Sequence, residues 1–85
     1  MAGRKNIVLL NGNGKMAGGH YCYRHLQSAV RRASKLAVEE RKITTIWHND
    51  EGVELCVVRP DLYRTQVGFS VQTDHPRKFK EHWSN

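Results

Sequence analysis

The stretch "LQSAVRRASKLAVEE", residues 26–40, decides how the chain is read. Leu26, Ala29, Val30, Ala33, Leu36 and Ala37 recur at spacings of three and four, which on an α-helix puts them in one apolar stripe. Arg31, Arg32 and Lys35 fall off that stripe, so the predicted helix buries one face and presents a basic one. No clear Ser, Thr, Asp or Asn cap marks its start, and Glu39 and Glu40 sit near its end, where the helix dipole disfavours them.

On either side of the helix the period changes to two. "KNIVLL", residues 5–10, carries apolar side chains on both faces, as expected of a central strand flanked by paired strands and covered by a helix. "HYCYRH", residues 20–25, reads as a short second strand, which makes the intervening loop a hairpin connection. "KITTIWH", residues 42–48, and "VELCVVR", residues 53–59, flank the polar turn "NDEG" and predict another hairpin. In it Val53, Leu55 and Val57 share one face, and Glu54, Cys56 and Val58 the other. After "RPD", the segment "QVGFSVQT", residues 66–73, alternates, with Val67, Phe69 and Val71 inward and Gln66, Ser70 and Gln72 outward. In the tail Asp74 can cap, Pro76 suits a first helical turn, and Phe79 and Trp83 lie one turn apart; a short docking helix and a basic tail both fit. The expected fold is a single α+β domain over residues 1–85. An antiparallel sheet of three to five strands packs against one amphipathic helix, with a possible short C-terminal helix.

Eighty-five residues support one modest core and exclude a large interdomain cleft. Fourteen Lys and Arg against eight Asp and Glu leave a formal charge of +6, enough in a small body for a broad positive field. Nucleic acid and acidic protein surfaces are the partners such a field selects. The longest aliphatic run, Ile7 to Leu10, is far too short to span a membrane, and "MAGRKN" lacks an apolar signal core, so a cytoplasmic location is expected. Two cysteines, Cys22 and Cys56, give no disulfide framework.

Between the first two strands, Gly12, Gly14 and Ala17 match the permissive dinucleotide fingerprint, in which small residues let backbone amides approach a pyrophosphate. The context does not follow. Gly18 and Gly19 interrupt the chain before any helix begins, Met16 stands where a Walker loop needs Ser or Thr, and Leu9 where it needs its first glycine. The loop reads instead as a hairpin connection whose Lys15 is free to meet a partner's phosphate or carboxylate.

His20, Cys22 and His25, completed by Cys56 or His48, have the residue types of a zinc site but not its two tight ligand pairs, so no metal and no cofactor is expected. No nucleophile signature such as G-x-S-x-G occurs, and no enzyme is expected. A small zinc-binding protein or minor enzyme stays the lesser alternative. The basic residues are more informative: Arg24, Arg31 and Lys35 follow at spacings of seven and four, Arg32 widens the stripe, and with Lys15 they are the candidate contacts to a partner or its phosphates. Tyr21, Tyr23 and Trp47 are suited either to stacking on bases or to filling the core.

The order of a strand, a loop, the helix "SAVRRASKLAV" and the hairpin "ITTIWHNDEGVELCVV" resembles small phage-encoded anti-CRISPR proteins of β-α-β-β arrangement. The resemblance covers about residues 5–59 and carries over no functional residue position by position. It implies a non-catalytic inhibitor that docks on a CRISPR effector complex and impedes target-DNA binding. The expected partner is thus a host protein or nucleoprotein complex, with direct DNA or RNA binding as the alternative.

Overall fold

A computed structural model describes residues 5–15, 21–61, 63 and 66–83. The fold is the expected α+β arrangement. Five strands, β1 (Ile7–Leu10), β2 (Cys22–Tyr23), β3 (Thr44–His48), β4 (Val53–Pro60) and β5 (Phe69–Gln72), form one antiparallel sheet in the order β2-β1-β3-β4-β5. Helix α1 (Leu26–Glu40) follows β2, and a short helix α2 (Pro76–Trp83) follows β5. β1 is an inner strand, as its apolar run requires, although β3 holds the middle.

The apolar stripe of α1 is the buried one: Leu26, Ala29, Val30, Ala33, Leu36 and Ala37 pack on Ile7, Leu9, Ile46, Leu55, Cys56 and Val58. The missing N-terminal cap is real, since His25 occupies the cap position with no side-chain hydrogen bond to the helix. At the other end Arg41 takes a left-handed conformation and returns its N–H to the Leu36 carbonyl, which ends the helix.

Two expectations about strand faces are corrected. In the β3–β4 hairpin Ile46 pairs with Cys56 but Trp47 with Glu54, so Leu55 is an extra residue, a β-bulge. The bulge shifts the alternation by one: Leu55, Cys56 and Val58 are all buried in the core, while Val57 moves to the opposite face. In the segment 66–73 only Phe69–Gln72 is strand, and Val67 is exposed. The reason is Gly68, whose φ of 87° turns the chain, so that Val67 stands outside the alternation.

Both helices cover the same face. Phe79 of α2 packs against the core cluster, and Gln27 Nε2 of α1 donates to the Trp83 carbonyl at 2.8 Å. The tail is therefore a docked helix, entered through Thr73. Its hydroxyl donates to the Leu55 carbonyl and accepts the His75 N–H, and Pro76 opens the first turn. By register the other face of the sheet carries Cys22, Val8, Leu10, Thr45, Trp47, Glu54 and Val57.

Candidate functional site

The basic side chains are divided by the fold. Arg31, Ser34, Lys35, Val38 and Glu39 of α1 line a groove of about 300 Å³, closed on the far side by Phe69 of β5. Arg31 and Lys35 are one turn apart and exposed, Val38 one turn further on and Phe69 supply apolar surface, and exposed Glu39 brings one carboxylate to the same lining. Ser34 contributes little polarity, because its hydroxyl is turned back onto the Val30 and Arg31 carbonyls. β5 is an edge strand, and Val71, on the Phe69 face, is 38% exposed. The groove thus runs beside a strand that is at the edge of the sheet among the described residues.

The remaining predicted contacts lie elsewhere. Arg32 is 100° round the helix from Arg31 and turns toward β2. Burial raises the Tyr23 phenol above its ordinary pKa, and the Arg32 charge opposes that rise. The Arg32 Nε is buried with no hydrogen-bond partner among the described residues. Arg24 precedes the helix at the end of the sheet where Tyr23 and His48 flank Ile7, whereas Lys15 lies beyond Leu10 at the opposite end. Spacings of seven and four align only residues that share one helix, so the stripe contracts to Arg31 and Lys35.

The glycine loop joins two antiparallel strands, which no dinucleotide loop does. Three of its described amides are also spent. Asn13 and Lys15 donate to the Asn11 side-chain carbonyl, and Gly14 to the Asn11 backbone carbonyl, so those three N–H groups face inward and away from any phosphate. Met16 to His20 lie outside the described residues.

Of the residues with zinc-ligand types, His20 lies outside the described residues, and the two cysteines are separated. Cys22 and Cys56 stand on strands three places apart in the sheet, about 14 Å by strand spacing, and on opposite faces. Burial pushes the Cys56 thiol up to about 12, which keeps it protonated. His48 instead meets two residues not grouped with it before. Glu51 sits in the β3–β4 turn and His82 in the last turn of α2, and their ligand atoms and that of His48 all lie within 4.8 Å of one another. His82 Nε2 is 2.7 Å and His48 Nε2 3.8 Å from Glu51 Oε2, while Lys78 Nζ donates to Oε1 at 2.9 Å. Lys78 is the largest cause that holds the Glu51 carboxyl below its ordinary value, against an opposing push from burial and with His82 adding to it. The turn itself is tied by the Gly52 N–H to the His48 carbonyl, with Gly52 at φ 62°, and by the Glu51 N–H to His48 Nδ1. The spacing His48-x-x-Glu51 across a turn was visible in the sequence. His82 was not, because it arrives only when α2 docks.

No family model, curated protein or solved structure matches the chain. Among the described residues no helix is long and apolar enough to cross a membrane.

Proposed function

We propose that the chain is a small, non-enzymatic binding protein that docks an acidic, extended segment of a partner protein in the groove between α1 and β5. The observation that carries this reading is the pairing of Arg31 and Lys35 above Val38 and Phe69, beside an edge strand. An extended segment added to β5 forms main-chain hydrogen bonds and alternates its side chains, so that apolar ones meet Val38 and Phe69 and acidic ones meet the two cations. The order of elements, which resembles that of small phage-encoded anti-CRISPR proteins, supports reading the chain as an inhibitor of phage or mobile-element type that acts on a host nucleic-acid machine such as a CRISPR effector complex and impedes its DNA binding. A cytoplasmic site of action belongs to the same proposal.

Direct binding to DNA or RNA is the second reading, favoured by the net charge of +6. The two separate in a salt titration against mixed-sequence duplex DNA. Direct phosphate contact makes log affinity fall with log salt by about 0.9 per contact, and Arg31→Glu with Lys35→Glu flattens that slope. Protein docking predicts poor duplex binding at physiological salt, with little left for the double substitution to remove. Tight wild-type binding with a steep slope that the substitutions abolish would make the chain a nucleic-acid binder.

A further inference from the structure

We propose that His48, Glu51 and His82 form a binding site for a divalent transition-metal ion of zinc type, which fastens α2 to the β3–β4 hairpin. Three separate segments, the end of β3, the turn and the last turn of α2, converge here on one carboxylate oxygen. The two imidazole rings lie 4.7 Å apart between centroids and are tilted by 33°. Both side chains are mostly buried, at 11% and 17% exposure, yet the Glu51 side chain keeps 26%, so an ion has a way in. Two imidazole nitrogens with one carboxylate oxygen suit zinc, and water completes the coordination.

The geometry is near what zinc needs. Ligand atoms at ordinary zinc distances on a tetrahedron stand about 3.4 Å apart. The observed 2.7 and 3.8 Å bracket that spacing, and the third separation, between the two imidazoles, is within 4.8 Å. Lys78 holds Oε1 at 2.9 Å, so Oε2 is the carboxylate oxygen that faces the two imidazoles.

Three features lower the affinity, the first being that His82 Nε2 now donates to Glu51 Oε2 at 2.7 Å and must give up that proton to ligate. The Lys78 charge lies one carboxylate away from the ion. Ligation through Nε2 also needs the His48 ring proton on Nδ1, which now accepts the Glu51 N–H at 3.2 Å, so metal uptake gives up that hydrogen bond. Lys78 therefore competes with the ion, and this separates a metal site from a purely structural clamp.

The test is titration of the purified chain with Zn²⁺ by calorimetry and with Co²⁺ by visible absorption, with thermal melting alongside. The expected result is saturable one-to-one binding and a melting midpoint raised by the ion, as linkage requires of a ligand held only by the folded state. His82→Gln and Glu51→Gln should each weaken binding at least tenfold, whereas Lys78→Met should tighten it several-fold. No saturable binding, or an unchanged Kd in His82→Gln, overturns the proposal. A Lys78→Met chain that melts earlier with no gain in affinity does so too, because that is how a clamp without metal behaves.

Discussion

Arg41 is the one described residue other than glycine with a positive φ, at 56°, and it ends α1 because the chain must turn there to enter β3. A left-handed L-residue costs about 1–2 kcal/mol, of which glycine's greater freedom in the unfolded chain takes back about 0.4–1. Arg41→Gly should therefore stabilise the protein by about 0.5–1 kcal/mol in urea unfolding, and a loss of stability would mean that the side chain makes contacts that matter. Cys56 supplies a second residue-scale expectation. Its thiol is fully buried, and its pKa is pushed from 9.0 to about 12 by burial and, secondarily, by Glu54. A raised thiol pKa means that the unfolded chain loses its proton first, so the associated stability is present below pH 9 and is lost as pH rises from there toward 12. Cys56→Ser removes that dependence at some packing cost, which alkaline melting curves of the two proteins will resolve. In the native state alkylation should proceed at half-buried Cys22 and leave Cys56 unmodified until the chain unfolds.

At the scale of elements, α1 is the keystone, because its stripe covers β1, β3 and β4 together. Leu36 lies within that stripe and is 6% exposed, so Leu36→Ala should destabilise by about 2–5 kcal/mol, with the larger value if the site cannot collapse. An unchanged thermal midpoint would mean that the helix does not rest on the sheet as described. This helix was legible in the sequence because its period is carried by six residues, each of which is buried. β1 and the two hairpins were legible for a similar reason, from apolar runs broken by turn residues. What was not legible depends on single backbone events. The bulge at Leu55 inserts one residue out of phase and the turn at Gly68 cuts the last strand short, and a period of two foresees neither event. The groove is intermediate in this respect. Arg31 and Lys35 could be paired from their spacing along α1, but Phe69 joins them only through the β4–β5 pairing that brings the last strand under the helix.

For the whole molecule, the order β2-β1-β3-β4-β5 leaves β5 as one edge of the sheet, and α1 lies above it with two cations on the near rim. In the proposed docking the net charge of +6 acts at long range to draw an acidic partner in, while the groove and strand edge supply the short-range fit. Arg24, Arg32 and Lys15 are spread to other parts of the surface, which argues for one focused contact and against a continuous track for a nucleic-acid backbone. The most direct measurement is capture of partners from a nuclease-treated bacterial lysate by the wild-type chain and by the chain carrying Arg31→Glu with Lys35→Glu, both shown by melting to be folded. A protein partner retained after nuclease by the wild type and lost by the double variant is the predicted result. A partner that the variant still holds, or one captured only before nuclease treatment, would contradict it.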